Sequence, residues 1–356
     1  MSERKITVIV DGMFAPTEEE KAQVLKNYEV FKEHGATVQI VQDSSFLRDL
    51  PEENKIQEAT HRVETQGPKG FVYDRELLDA VKGSEVIITH YNAVNEKLMD
   101  ACGDSLKMIG IMRSGVETVD FNAAKERNVI VCNSPGRVSS PVADFAVGLM
   151  IAFERKISYF DMAHSKHYDP EEDSAWPPLM SDLTVGIVGF GIIGKKVAER
   201  LKPFGSKVIA YDPFVSQEAA DEYGVKMVEL NELMKESDIV TVHARMMEVT
   251  RNMIGKDQIS LMKPNALFVN TARAGLVDED ALVDALKNHR IKGAALDVFR
   301  EEPLPENSPF YELDNVLITP HRAGSAGSFV NLTTAAMKEE VVRYLDNQPL
   351  KYMVKK

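Results

Sequence analysis

A glycine-rich turn near the middle of the chain constrains the fold more than any other feature. Residues 185–188 are an apolar run, and Gly189-x-Gly191-x-x-Gly194 follows them directly, before a helical pattern. The first glycine permits a tight turn, the second lets a pyrophosphate approach the backbone, and the third lets the helix pack closely on the strand. This order of strand, glycine turn and helix predicts a dinucleotide-binding unit whose helix N-terminus faces the phosphates.

A carboxylate at the end of the next predicted strand indicates which dinucleotide is bound. Asp212 follows the apolar run 207–211, and residues 213–216 contain no arginine. A carboxylate at this place accepts hydrogen bonds from the ribose hydroxyls and repels a 2′-phosphate. We therefore expect NAD rather than NADP as cofactor. In the alternative interpretation, the glycines only turn the chain and Asp212 only caps a loop.

Strand and helix patterns alternate along nearly the whole chain. The predicted strands are residues 6–10, 38–41, 86–89, 106–112, 129–132, 185–188, 207–211, 239–242, 267–270, 293–296 and 316–318. The clearest predicted helices cover residues 18–35, the segment from Pro141 to about residue 164, and residues 330–345. Residues 43–70 are predicted as mixed helix and loop, and residues 168–182 as a linker or a loop over the sheet. This alternation predicts an α/β fold with parallel sheets covered on both faces by helices.

Composition excludes several classes of protein. The chain has 356 residues, which is room for about two domains. Its formal charge of −13 argues against a nucleic-acid or anionic-membrane surface. The longest apolar run, residues 145–153, is too short to span a membrane, and no signal peptide precedes the first strand. Two cysteines cannot form a disulfide framework, and no metal site is predicted, so we expect a soluble cytoplasmic protein.

Three later segments each place a functional side chain just after a predicted strand. They carry Arg273, Glu302 and His321. Because ligands in open α/β sheets bind beyond the carboxyl ends of the strands, these three side chains can converge. An arginine fork holds a carboxylate, a histidine transfers a proton near neutral pH, and an adjacent carboxylate orients the histidine ring. Together they predict a site that reduces a 2-oxo acid, although each residue alone could have a structural role.

In these segments the chain resembles the D-isomer-specific 2-hydroxyacid dehydrogenases, of the phosphoglycerate or glycerate dehydrogenase type. The motifs that carry the resemblance are Gly189-x-Gly191-x-x-Gly194, Asn270-Thr271-Ala272-Arg273, Ala295-Leu296-Asp297-Val298-Phe299 and Pro320-His321-x-Ala323-Gly324. The resemblance implies an NAD-dependent oxidoreductase that interconverts a D-2-hydroxy acid and its 2-oxo acid by hydride transfer. Arg273 would bind the substrate carboxylate, Glu302 would support the histidine, and His321 would be the general acid/base.

The same resemblance implies further contacts to substrate and cofactor. Besides Arg273, the resemblance implies substrate contacts from the backbone of Ser114 and Gly115; Arg322, which departs from the family pattern, is a further expected substrate contact. Asp297 would meet the nicotinamide amide. The full set of expected cofactor contacts is Asn92, Gly189, Gly191, Ile192, Ile193, Gly194, Asp212, His243, Ala244, Arg245, Thr271, Ala272, Asp297 and Gly324.

The resemblance also implies a domain order that composition cannot reveal. A Rossmann NAD-binding domain, residues 115–318, would be inserted in a flavodoxin-like substrate domain, residues 1–114 and 319–356, with the cleft at their junction. Each domain would contain a doubly wound parallel sheet. The long helix from Pro141 would be a dimerisation arm, giving a homodimer; alternatively it is an ordinary core helix. The chain ends shortly after residue 345, so we expect no appended regulatory domain.

Four arginines bear on the identity of the substrate. Arg245 replaces a proline that many family members carry, and Arg322 stands where an apolar residue is more usual. With Arg113 and Arg137 they could surround a cleft with positive charge. The hypothesis is a substrate with a second anionic or polyhydroxylated end, such as a sugar acid or a phosphorylated acid. In the alternative interpretation, these arginines pair with acidic residues.

Two other functions remain open on this fold. One is a dinucleotide-sensing, corepressor-like binding protein, and the other is a phosphorus-acid oxidoreductase. Formate oxidation is disfavoured, because formate enzymes of the family carry glutamine where this chain has Glu302. In the favoured interpretation the partner is a small 2-oxo or 2-hydroxy acid.

Overall fold

The chain folds into two compact units, of which the first is built from both ends of the chain. The computed structural model describes residues 4–12, 14–48, 50, 58, 62, 67–160 and 176–354. The first unit comprises Met1–Arg137 and Ala326–Lys356, and the second unit comprises Val138–Ser325.

The limits of the two units differ from the expected ones. They lie at 137/138 and 325/326 instead of 114/115 and 318/319. The first limit moves because strand Ile130–Asn133 pairs within the sheet of the first unit. The second limit moves because the buried carboxylate of Asp297 accepts hydrogen bonds from the backbone N–H groups of Arg322 and Ala323. Both differences come from pairings between distant segments, which a linear pattern does not reveal.

Strands and helices alternate in both units, as the sequence predicts. The strands are β1 (Arg4–Val10), β2 (Ala36–Gln42), β3 (Val86–Thr89), β4 (Met108–Ile111), β5 (Ile130–Asn133), β6 (Thr184–Val188), β7 (Lys207–Tyr211), β8 (Lys226–Met227), β9 (Ile239–Val242), β10 (Leu267–Asn270), β11 (Gly293–Leu296) and β12 (Val316–Ile318). The helices are α1 (Glu18–Tyr28), α2 (Arg75–Ala80), α3 (Glu96–Cys102), α4 (Phe121–Glu126), α5 (Ser139–Glu154), α6 (Ile192–Leu201), α7 (Gln217–Asp221), α8 (Leu230–Glu236), α9 (Lys256–Ser260), α10 (Glu279–Lys287) and α11 (Phe329–Leu345). Across the described ranges, none of these helices is long and apolar enough to cross a membrane.

The first unit contains a five-stranded sheet whose strands are all parallel. The strand order is β2-β1-β3-β4-β5, so the chain moves outward to β2 and then reverses direction at β3. This is the flavodoxin-like order of a doubly wound sheet. Every residue of β3 and β4 is buried, because helices cover both faces of a parallel sheet.

The last helix completes the first unit. Met337 of α11 packs on β4 at Gly110, where a side chain would overlap the methionine sulfur. At the edge of the unit, Arg4 Nη2 and the hydroxyl of Tyr344 donate to the same oxygen of Glu85, at 2.7 and 2.8 Å. This network ties the first strand of the chain to its last helix.

The second unit contains a seven-stranded parallel sheet. Its order is β12-β11-β10-β9-β6-β7-β8, so the chain reverses direction between β6 and β9, as in a Rossmann fold. Strand β8 was not predicted, because two residues are too short to show a pattern.

Helix α5 is shorter than predicted. It ends at Glu154, where the carboxylate forms an ion pair with Lys292 at 2.5 Å, and residues 155–160 form turns. Ala143 and Ala146 pack in the core of the second unit. Residues 161–164 of the predicted helix and residues 168–175 of the predicted loop lie outside the described residues, as do parts of segment 43–70.

Substitution of Glu85 tests how the ends of the first unit are joined. The partly buried Glu85 would have a raised pKa, but hydrogen bonds from Arg4 and Tyr344 and the charge of Arg4 outweigh burial and lower it. Glu85→Ala should lower the free energy of unfolding at pH 7 by about 1–3 kcal/mol, measured by urea denaturation.

Because the pKa of Glu85 is lowered in the folded state, the carboxylate stabilises the folded state. Its contribution to the free energy of unfolding is fully present above its ordinary pKa of about 4.3. The difference in free energy of unfolding between Glu85→Ala and wild type should shrink as the pH falls through the pKa of Glu85 in the folded state. Glu126→Ala, an exposed residue of α4, is the control. A difference in free energy of unfolding that stays constant down to low pH would contradict a stabilising network of Glu85, Arg4 and Tyr344.

Candidate active site

The glycine turn lies where the second sheet reverses direction. Gly189 follows β6 with φ of +94°, and a Cβ atom there would overlap the backbone of Ala244, which follows β9. A Cβ atom on Gly194 would overlap the carbonyl oxygen of Gly189. At Gly191, the N-cap of α6, a Cβ atom would have no atom of the described chain within 4 Å apart from its immediate neighbours. The turn is therefore tight at two glycines and open at the one beside the N-terminus of α6.

Asp212 lies beside this turn, at the end of β7. Its Oδ2 accepts a hydrogen bond from the N–H of Phe190 at 2.9 Å, and its Oδ1 accepts one from the N–H of Phe214 at 3.0 Å. These two bonds hold the carboxylate next to the glycines. Each oxygen keeps a further lone pair with which to accept a ligand hydroxyl.

Two buried polar atoms at the same edge have no hydrogen-bond partner among the described residues. They are His243 Nδ1, after β9, and Thr271 Oγ1, after β10. The other ring nitrogen of His243 is 2.9 Å from Thr241 Oγ1, and burial lowers the pKa of His243 to about 3, so the ring is neutral at physiological pH. Buried polar atoms normally have partners. With the open face at Gly191 and the carboxylate of Asp212, these atoms fit a dinucleotide.

Glu302 and His321 form a hydrogen-bonded pair. His321 Nδ1 is 2.7 Å from Glu302 Oε2, and Glu302 Oε1 accepts from the N–H of Phe299 at 2.9 Å. Burial acts to raise the pKa of Glu302, but these hydrogen bonds and the charges of His321 and Arg273 lower it overall. An ionised carboxylate can only accept, so Nδ1 of His321 donates and Nε2 is left for a ligand.

Arg273 lies next to this pair. It precedes a short 3-10 turn, Ala274–Leu276, and its Nη1 donates to the carbonyl oxygen of Ala272 at 2.7 Å. Its side chain is exposed and makes no ion pair with any described residue. The structure thus brings together the three residues that the sequence singled out, at the carboxyl ends of β10, β11 and β12.

Asp297 holds the segment that carries His321. It is fully buried, and it accepts hydrogen bonds from Thr319 Oγ1 at 2.6 Å and from the N–H groups of Arg322 and Ala323 at 2.8 Å. Sequence reasoning missed this anchoring role. The signal was an aspartate directly after an apolar strand, a place where a charge must be satisfied by several donors. Its contact with the nicotinamide amide stays a prediction.

The other predicted residues divide between the two units. Those of the second unit lie at the carboxyl edge of its sheet or at the start of α6: Ile192, Ile193, Ala244, Arg245, Ala272, Arg322 and Gly324. In the first unit, buried Asn92 donates to Asp43 Oδ2 at 2.6 Å, and the carbonyl of Ser114 accepts from Asn133 at 2.6 Å. A side chain at the predicted substrate contact Gly115 would overlap the carboxylate two residues later.

The four arginines that bear on the substrate form no ion pairs with the described acidic residues. Arg245 and Arg322 have exposed side chains, and Arg113 and Arg137 are partly buried. Within the part of the chain that the structure describes, none of the four makes an ion pair. The interpretation that they pair with acids is therefore not supported.

Gly191→Ala separates cofactor binding from folding. The backbone of Gly191 has φ of −79°, which alanine adopts, and the space around the new Cβ is open, so the unfolding temperature should stay within about 2 °C of wild type. The methyl group would occupy the open face at the α6 N-terminus. NADH affinity, measured by fluorescence titration, should therefore fall about tenfold or more.

Gly148→Ala in α5 is the matched control, since its Cβ also enters open space. It should keep the wild-type NADH affinity and stabilise the helix by about 1 kcal/mol. Equal NADH affinity in Gly191→Ala and wild type would contradict a pyrophosphate at this turn.

Comparison with known proteins agrees with this geometry. Residues 147–323 match the family model described as D-isomer specific 2-hydroxyacid dehydrogenase, NAD binding domain. The D-3-phosphoglycerate dehydrogenase of Methanocaldococcus jannaschii is 38% identical over 271 residues, which cover 76% of this chain and 51% of that protein. The glyoxylate reductase of Thermococcus litoralis is 36% identical over 275 residues, which cover 76% of this chain and 82% of that protein.

A solved structure is similar along the whole chain. The crystal structure of D-lactate dehydrogenase with NAD+ from Lactobacillus jensenii has a TM-score of 0.75 and 26% identity, and the match covers 99% of this chain and 100% of that one. The chain spans about half the length of the phosphoglycerate dehydrogenases that it matches. Similarity over most of the glyoxylate reductase nevertheless shows the family: the chain belongs to the D-isomer specific 2-hydroxyacid dehydrogenases, and its second unit is their NAD-binding domain.

Proposed function

We propose that this protein is an NAD-dependent oxidoreductase that interconverts a D-2-hydroxy acid and its 2-oxo acid. The observation that carries the proposal is the pair of Glu302 and His321 beside Arg273. Relatives named glyoxylate reductase and D-3-phosphoglycerate dehydrogenase support this class of reaction.

Each residue of the trio has a defined role in this reaction. The planar fork of Arg273 binds the substrate carboxylate and draws charge from the neighbouring carbonyl. His321 delivers a proton from Nε2 to the carbonyl oxygen in the direction of reduction, and takes it back in the direction of oxidation. Glu302 holds the ring in the orientation and tautomer that this transfer needs. NAD, when bound, supplies or accepts the hydride at the substrate carbon.

The cofactor would be held by the residues whose polar atoms are available. The N-terminus of α6, next to the open face of Gly191, would take the pyrophosphate, and Asp212 would accept the ribose hydroxyls. His243 Nδ1 and Thr271 Oγ1 would find their missing partners there. The substrate contacts of Ser114 and Gly115 and the cofactor contact of Asn92 remain predictions from the family resemblance, and the substrate contact of Arg322 remains a prediction from its departure from the family pattern.

Two substitutions test the assigned roles in assays of NADH oxidation with a panel of 2-oxo acids. Arg273→Ala should raise KM about 10- to 100-fold, because it removes a charge-assisted hydrogen-bonded contact to substrate. His321→Ala should mainly lower kcat, by about 100-fold or more, because it removes the proton donor.

Arg251→Ala and His289→Ala, both exposed in the second unit, are the matched controls and should keep wild-type kinetics. An unchanged kcat of His321→Ala for every reducible 2-oxo acid would refute the proton-transfer role. Intact NADH binding without reduction of any 2-oxo acid by wild type would instead favour a binding protein.

We also propose that the protein is a homodimer that uses the surface after α5. Ile157, Tyr159 and Phe160 are 55%, 46% and 40% exposed, and Trp176 and Leu179 are 94% and 60% exposed. The rings of Tyr159 and Phe160 are in contact, and groups of exposed apolar side chains mark interfaces between proteins.

Ile157→Asp combined with Phe160→Asp should convert a dimer to a monomer, measured by size-exclusion chromatography with light scattering. Val249→Asp, also at an exposed apolar residue of the second unit, is the control and should leave the mass unchanged. A monomeric mass for wild type at micromolar concentration would refute the dimer.

For the compartment we propose the reducing cytoplasm. The support is that Cys102 and Cys132 are both free and buried, and burial raises the pKa of each thiol to about 12.

A further inference from the structure

The first unit contains a group of polar residues that the proposed function does not use. They follow the carboxyl ends of its strands: Asp11 after β1, His90 and Tyr91 after β3, Arg113 after β4, and Arg137 after β5. The sheet reverses direction between β1 and β3, and the crevice beside such a reversal is where open α/β sheets bind ligands.

Arg113 is stacked but incompletely hydrogen-bonded. Its guanidinium carbon lies 3.8 Å from the centroid of the Tyr91 ring, a distance at which the cation is attracted to the ring face. Its Nη1 is buried and has no hydrogen-bond partner in the described ranges of the chain. Most buried polar atoms in proteins are paired, so this one indicates a missing partner.

Arg137 lies in similar surroundings. Its Nη1 donates to Thr333 Oγ1 at 3.2 Å, and its guanidinium carbon is 5.0 Å from the centroid of the Phe329 ring. Burial, to which the positive charge of Arg113 adds, lowers the pKa of Arg137 to about 10, so the group is still charged at neutral pH. No described carboxylate oxygen lies within 4 Å of either arginine.

The neighbouring groups do not balance the two charges. Asp11 lies 3.5 Å from His90 Nδ1, and its two oxygens accept from the backbone N–H groups of Phe14 and Tyr91 at 2.9 and 3.1 Å. Burial lowers the pKa of His90 to about 4, so the ring adds no charge at neutral pH. Among the described residues, Asp11 is the carboxylate whose charge acts on Arg137, and both of its oxygens already accept from the backbone.

We propose that Arg113 and Arg137 form an oxyanion-binding site at the carboxyl edge of the first sheet, which takes a phosphate or carboxylate group. Two planar guanidinium forks match the oxygens of such a group. A buried cation without a counter-charge is costly, and the bound anion removes that cost. The anion is either the second anionic group of the substrate, in which case the inference rests on the proposed function, or a separate small anion.

Thermal unfolding of the full chain measures the site without reference to activity. Wild type should unfold about 2 °C or more higher in inorganic phosphate than in sodium chloride of equal ionic strength, because the anion binds only the folded state. Equal unfolding temperatures in the two salts would overturn the proposal.

Variants separate specific binding from the general stabilisation that phosphate gives to proteins. Arg113→Met and Arg137→Met keep a long side chain and remove the charge. Each should therefore lose most of the phosphate increment, which is the rise in unfolding temperature from chloride to phosphate. In chloride each should unfold at or above the wild-type temperature, because a partly buried charge without a described ion-pair partner is gone. An increment that persists undiminished in both variants, or a fall in unfolding temperature of equal size in both salts, would overturn the proposal.

Arg75→Met is the matched control, because Arg75 is exposed in the first unit and, among the described residues, forms an ion pair only with Asp79, at 3.6 Å. It should keep the whole increment. Arg113→Lys retains the charge without the planar fork. It replaces Arg113→Met in this test if the methionine variant does not fold. It should show a smaller increment than wild type, and an undiminished one counts against the site.

Kinetics then identify the source of the anion. If the substrate supplies the anion, Arg113→Met should lower the ratio of kcat/KM for 3-phosphohydroxypyruvate or 2-oxoglutarate to kcat/KM for pyruvate about tenfold. Inorganic phosphate should then also compete with the acid that has the anionic tail. If the anion is separate, this ratio stays constant and phosphate does not compete. If wild type reduces no 2-oxo acid, the proposed function fails, while thermal unfolding still decides on the site.

Discussion

The buried carboxylate of Asp297 is the interaction on which the candidate active site depends. It accepts one hydroxyl and two backbone N–H groups from the segment on either side of His321. His321 itself has φ of +52°, a conformation that costs free energy for a residue with a side chain and persists only where the surroundings hold it. Asp297 thus determines where the imidazole stands, and the charge of Glu302 determines which of its nitrogens carries the proton.

The two sheets are alike in how their polar residues are placed relative to the strands. Both are entirely parallel, and both place their unusual polar residues beyond the carboxyl ends of the strands. In the second unit, the buried side-chain atoms at this edge that lack a described partner belong to His243 and Thr271, where a dinucleotide fits. In the first unit they include Arg113, whose buried Nη1 has no hydrogen-bond partner among the described residues. Buried atoms without partners are therefore concentrated at the edges where this architecture binds ligands, while the central strands β3, β4, β9 and β10 are fully buried.

Most of the fold could be predicted from the sequence, because it depends on local patterns. The glycine turn after residues 185–188 indicated the Rossmann unit, and an ionisable residue after each late strand indicated the site. Features set by distant pairings could not be predicted in this way: the two-residue strand β8, the end of α5 at Glu154, and the limits of the units. The anchoring role of Asp297 and the missing partner of Arg113 become visible only when separate strands meet in the folded sheet.

The order of segments in the chain affects how the first unit is made in the cell. Helix α11 covers the sheet of the first unit at Gly110, yet the whole second unit is translated between Arg137 and Ala326. At roughly 5–20 residues per second, this interval is on the order of ten seconds or more. During that time the apolar face that later receives Met337 has no cover. Ribosome-associated chaperones would meet the first unit as an unfinished sheet, and the second unit as a domain able to fold as soon as it emerges.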